Sequence, residues 1–204
     1  MTRPQIKDKT MTSHYFSCAE TAKLVRNELK SRFPGVKFSV RSNTYAGGAS
    51  IDVSWVDGPA AKIVDAVVGQ FAGGRFDSSI DMAYNVSHWM TQDGRIVIAS
   101  NPGTGDQKGS HSAERNWMPE PDAKLVHFGA DFIFTKRAIS PNLARRALDR
   151  LAAKGYPVEC VEIRVSDYNG EAYIHQTTRD ETLTRGFDME REANEAIQRT
   201  HCAA

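Results

Sequence analysis

The stretch from Lys37 to Pro59, KFSVRSNTYAGGASIDVSWVDGP, constrains the fold of this chain more than any other. Val36, Phe38 and Val40 alternate with Lys37, Ser39 and Arg41, and Ile51, Val53 and Trp55 alternate with Asp52 and Ser54. A period of two marks strands with one buried face. The runs meet through Gly47-Gly48, a pair that a phosphate-binding loop or a hairpin turn could use. A phosphate cradle needs a helix N-terminus directly behind its glycines. Here a second strand comes next, so the pair reads as a hairpin turn, with Gly48 expected at positive φ. Two strands are not stable alone, so others must join them.

Helices flank this pair. Ser17-Cys18-Ala19-Glu20 has the form of a capping box, and Cys18, Ala22, Val25, Leu29 and Phe33 follow at helical spacing until Pro34-Gly35. Asp57-Gly58-Pro59 is expected to start a second helix, with Ala60, Ile63, Val64, Val67, Val68 and Phe71 as its buried stripe. Asp93-Gly94 lies between two apolar runs as a further hairpin. Ser140-Pro141 opens a helix that buries Leu143, Ala147, Leu148 and Leu151. Val161, Ile163 and Val165 then alternate, Asn169-Gly170 turns the chain, and residues 186–199 form a weaker amphipathic helix. The expected fold class is therefore α+β: an antiparallel sheet with helices packed on one face, built from two helix–strand–strand–helix units. Residues 1–16 read as a flexible lead-in and 101–122, with three Pro, three Gly and no apolar period, as a linker or long loop. The flanking blocks are 17–100 and 123–204.

With 40% hydrophobic and 25% charged residues, the composition is that of a soluble globular protein. No apolar run reaches the ~20 residues of a membrane span, and the N-terminus lacks a signal-peptide core, so a cytoplasmic protein without membrane contact is expected. Cys18, Cys160 and Cys202 are odd in number and far apart, as reduced thiols would be. The net charge of +1 conceals blocks: residues 1–42 carry +6 (nine basic, three acidic), 43–135 carry −5 (six, eleven), 136–154 carry +5 (six, one) and 155–204 carry −5 (five, ten).

Catalytic signals are sparse. His14 and Cys18 share a spacing of four, but no Cys-x-x-Cys or His-x-x-x-His occurs, so neither metal nor cofactor is expected. Asp77 and Asp81 could do paired acid–base work, but capping of turns explains them more simply. His175-Gln176-Thr177 is half of a paired His-x-Thr phosphoesterase site, and no second half exists. Binding signals are stronger. Lys136 and Arg137 precede a helix bearing Arg145, Arg146, Arg150 and Lys154, of which the last three recur every four residues. Such a face can track phosphates or hold an acidic protein surface. Arg41 and Tyr45, on the strand entering the glycine turn, complete the candidate binding set.

The segments CAETAKLVRNELKSRFPGVKFSVRSNTYAGGASIDVSWVDGP and FAGGRFDSSIDM together resemble the large polyvalent-protein-associated domain family, the twenty-ninth of that series. GADFIFTKRAIS is similar to the next segment of longer members. The resemblance places the α+β domain in residues 17–100 and implies a setting in phages, plasmids and other mobile elements. It transfers no catalytic residues. The expectation is a non-enzymatic interaction protein of a mobile element that binds a host or defence-system protein. Its specific form is inhibition of a CRISPR surveillance complex or a restriction enzyme. The alternatives are a nucleic-acid-binding accessory of plasmid or phage establishment and a metal-dependent hydrolase using Asp77, Asp81 or His175.

Overall fold

A computed structural model describes residues 13–78, 81–99, 119–177 and 189–200. Residues 1–12 of the expected lead-in (1–16), 101–118 of the expected linker (101–122), and Cys202 lie outside the described residues. The chain begins with strand β1 (His14–Phe16), helix α1 (Cys18–Arg32), β2 (Ser39–Tyr45), β3 (Gly48–Val56) and α2 (Ala61–Val68). Among the described residues six strands come next: β4 (Gly74–Asp77), β5 (Met82–Asn85), β6 (His88–Met90), β7 (Ile96–Ile98), β8 (Lys124–Phe128) and β9 (Phe132–Ala138). The last elements are α3 (Pro141–Ala152), β10 (Val161–Val165), β11 (Ala172–Gln176) and α4 (Met189–Arg199).

The α+β class holds, with one correction: the sheets are mixed, not antiparallel throughout. β1 runs parallel to β8, with His14 opposite Val126 and Phe16 opposite Phe128. β6 runs antiparallel to both β7 and β8. Hairpin signals reveal only strands adjacent in sequence, whereas a long crossover frees β1 to pair in parallel. Among the described residues the elements run α1-β2-β3-α2 and later α3-β10-β11-α4. The compact units are drawn differently. One takes the residues up to Val25, Arg41–Ile51 and Val68–Phe134; the other takes Arg26–Val40, Asp52–Val67 and the residues from Thr135 on.

In the first unit the four-stranded sheet has the order β1-β8-β6-β7. Its core centres on Phe128, whose ring lies 5.7 Å from Phe16, 5.4 Å from Phe71 and 5.0 Å from His88. The Asp93-Gly94 turn joins β6 to β7 as expected, with Gly94 at φ 84°. The capping box at the start of α1 is formed: the Ser17 N–H donates to Glu20 Oε2 at 2.8 Å, and the Glu20 N–H donates to Ser17 Oγ at 3.3 Å. The Ser17 hydroxyl, donating to Glu20 Oε2 at 2.7 Å, and then the Ser17 N–H hold the Glu20 carboxyl below the usual range.

In the second unit, α3 and α4 pack with the antiparallel hairpin β10-β11 around Leu143, Leu148, Leu151, Ile174 and Ile197. Each such side chain contributes about 1.5–3 kcal/mol by leaving water. The alternation in β10 fades along the strand, from buried Val161 to exposed Val165. Ser140 caps α3 as expected, its hydroxyl accepting from the Leu143 N–H at 3.2 Å. The Asp57-Gly58-Pro59 corner departs from expectation. α2 begins only at Ala61, and Asp57 serves α3 instead, accepting from the Ser140 N–H at 2.8 Å and its hydroxyl at 2.7 Å. Asp57 and Gly58 are both left-handed, at φ 56° and 54°, which turns the chain sharply out of β3. Ile63, expected in the buried stripe of α2, is exposed.

Candidate functional site

The first unit contains a half-open cleft of about 630 Å³. β1 supplies Tyr15, the start of α1 supplies Cys18, and the β2–β3 turn supplies Tyr45, Gly47 and Gly48. β8 and the segment after it supply His127, Phe128, Gly129 and Asp131. The glycine turn is a hairpin, with Ala46 and Gly47 between neighbouring strands β2 and β3. Gly47, at φ +93°, takes the left-handed position, not Gly48.

Gly48 is small for another reason. A Cβ there would sit 2.6 Å from Asp131 Oδ2 and 3.3 Å from the Tyr45 hydroxyl. Gly129 likewise makes room for Tyr15, whose hydroxyl would lie 2.5 Å from an added Cβ. Two glycines therefore seat two tyrosines, and one of them also seats a carboxylate. Asp131 is fixed by reciprocal bonds: its Oδ2 accepts from the Ala49 N–H at 2.8 Å, and its own N–H donates to the Ala49 carbonyl at 2.8 Å.

Cys18 and His127 are the other titratable side chains besides the tyrosines in the cleft lining. Burial, with the Asp131 charge adding to it, raises the Cys18 thiol, and a bond from Asn43 only partly opposes this. The thiol donates to the Ser50 carbonyl at 3.4 Å. His127 Nδ1 lies 3.3 Å from Ser87 Oγ, and Ser87 itself is buried. Neighbouring His88 is fully buried, and among the described residues neither ring nitrogen has a hydrogen-bond partner. Burial, then Arg75 and His127, push its pKa down to about 4.

Of the sequence-derived binding set, Tyr45 lies in the cleft and Arg41 is exposed on the same strand outside its lining. In the second unit, Arg145, Arg146, Arg150 and Lys154 are all exposed along α3 and just beyond it, above buried Leu143, Ala147 and Leu151. Exposed Asp149 interrupts the basic face.

Two cations expected beside this face are engaged elsewhere. Lys136 pairs with Glu171 at 3.2 Å. Arg137 is buried and donates to the carbonyls of Asp57 (2.7 Å), Gly58 (3.0 Å), Ile197 (3.3 Å), Gln198 (3.1 Å) and Thr200 (2.7 Å). It closes the C-terminal end of α4, where a cation suits the helix dipole. Asp81 occupies the β4–β5 turn at φ 52°, and His175 sits on β11 opposite Glu162. Cys160 is a buried core thiol raised by burial, as expected of a structural cysteine. Among the described residues, no three His, Cys, Asp or Glu side chains gather to hold a metal ion.

Sequence reasoning missed Asp131, Tyr15 and His127. For Asp131 and Tyr15 the sequence signal is the glycine each packs on, Gly48 and Gly129, and that cannot show that Asp131 meets Ala49 across 82 positions; His127 has no such signal.

These elements define an α+β protein with mixed sheets. Residues 16–140, more than half of the chain, match the model of the large polyvalent protein associated domain 29, and the chain belongs to that family. It is thereby associated with mobile genetic elements. Comparison with curated proteins and with solved structures returned no match. Among the described residues no helix is long and apolar enough to cross a membrane.

Proposed function

We propose that this mobile-element protein acts without catalysis, by binding a host protein, and that the partner belongs to a defence system such as a CRISPR surveillance complex or a restriction enzyme. The observation that carries the reading is the face of α3, where Arg145, Arg146, Arg150 and Lys154 stand exposed on a helix anchored by its own leucines. A rigid basic face suits an acidic protein surface, speeding encounter and setting orientation. The buried, raised thiol of Cys18 supports binding over nucleophilic chemistry in the cleft.

The same face favours a second reading, a nucleic-acid-binding accessory of plasmid or phage establishment. Asp149 on that face and the scarcity of aromatic residues beside it weigh against a phosphate track or a base-stacking platform. The two readings separate in a salt series with labelled duplex DNA and RNA. Protein recognition predicts negligible nucleic-acid binding at physiological salt. Submicromolar binding with a log–log salt slope of about −3, the value for three or four neutralised phosphates, would establish the alternative.

A further inference from the structure

We propose that the cleft of the first unit receives a cationic side chain, an arginine, presented by the protein partner; this rests on the interaction reading above and names the chemistry of one contact. Charge comes first. Asp131 is the one carboxylate in the lining, and no Lys or Arg joins it among the described residues. That carboxylate accepts one backbone bond, from Ala49, and has no ion-pair partner among the described residues. It is therefore a fixed acceptor with capacity left for a further donor.

Shape supplies the second argument. Tyr15 and Tyr45 keep 65% and 51% of their surface exposed, yet neither is a loosely held surface ring. Each lies against a glycine, and Tyr45 converges with Asp131 on the same one, Gly48. Aromatic faces beside a carboxylate attract a planar guanidinium, which can stack on a ring while forking its N–H groups onto the oxygens. The cleft, at about 630 Å³, has room for such a side chain and part of its flanking backbone. A phosphate would meet Asp131 with no Lys or Arg in the described lining to offset the repulsion. Guanine offers similar paired donors, but a guanine nucleotide brings its phosphate with it.

The test is a titration of the ¹⁵N-labelled chain with the peptide acetyl-Gly-Arg-Gly-amide, following the amides of Ala49, Gly129 and Asp131. The same peptide with citrulline for arginine, and GMP, serve as comparators. The expected result is saturable shifts with the arginine peptide, weakened about fivefold or more by citrulline, by Asp131→Asn and by Tyr45→Leu. Asp131→Asn keeps an oxygen to accept from the Ala49 N–H, and Tyr45→Leu provides an independent variant at an exposed position. Lys62→Glu, at an exposed position of α2 outside both the cleft lining and the basic face of α3, should leave the titration unchanged. Absence of saturation, equal response to citrulline, or tighter binding of GMP would overturn the inference. Capture of a host protein together with a silent cleft would overturn this inference and leave the interaction reading standing. A responsive cleft in a chain that captures no protein would support the recognition chemistry and count against that reading.

Discussion

His88 makes the folded chain acid-sensitive by an amount the structure allows to be worked out. It is fully buried, its ring packs 5.0 Å from Phe128, and its nitrogens lack hydrogen-bond partners among the described residues. Burial, assisted by Arg75 and His127, lowers its pKa from 6.5 to about 4. The neutral ring is thus the form that folding favours. Above pH 6.5 the imidazole is neutral in both states and contributes no pH dependence. As pH falls from 6.5 towards 4 the unfolded chain takes up a proton that the folded chain refuses, and stability is lost. Below about 4 both states are protonated and the loss is complete. At 1.36 kcal/mol per pH unit, this amounts to about 3 kcal/mol in full and about 2.5 kcal/mol between pH 7.5 and 4.5.

His88→Phe removes the titrating group while keeping a ring beside Phe128. Urea unfolding at pH 7.5 and 4.5, followed by tryptophan fluorescence, should show the variant losing about 2.5 kcal/mol less than the parent chain on acidification. Other titrating groups are common to both proteins and cancel in the difference. Equal acid losses in the two proteins would refute the reasoning, because His88 would then be protonated, or solvated, inside the fold.

Gly48→Ala should destabilise by about 1–3 kcal/mol, because its Cβ would lie 2.6 Å from Asp131 Oδ2. Gly47→Ala should cost about 1 kcal/mol, through its positive φ alone. Hydrogen exchange separates the two, since only Gly48→Ala should loosen the Ala49 amide held by Asp131. Arg137→Met should destabilise by about 3 kcal/mol or more by orphaning buried carbonyls. It should also speed exchange in α4 before the rest of the second unit; unchanged α4 protection would refute the clamp.

What the sequence reveals divides along the range of the interactions. The capping box at Ser17 and Glu20, the Asp93-Gly94 hairpin and the Ser140 cap are local, with partners within a few residues, and all three form. The alternation of Ile51, Val53 and Trp55 likewise reports one buried face. The parallel pairing of β1 with β8 leaves no local trace, because three residues are too few to display a period. Arg137 shows the opposite failure. In a run with Lys136 it reads as surface charge, yet its guanidinium is consumed by carbonyls from distant segments. Asp57 looks like the cap of the helix next in sequence and instead holds Ser140, 83 positions away. The cleft is half legible. Tyr45 stands out beside the glycine turn, but Asp131, which meets the same Gly48, is brought there by its bonds to Ala49.

The central claim, recognition of a host protein through the basic face of α3, is tested most directly by affinity capture. Tagged protein and an Arg145→Glu/Arg150→Glu variant would be recovered from host cells carrying their own defence systems, with nuclease treatment before elution. The account predicts a defence-system protein retained by the parent chain after nuclease treatment and lost from the variant, which itself unfolds at the same urea concentration as the parent. Capture that vanishes with nuclease, or that persists undiminished in the charge-reversed variant, would contradict it.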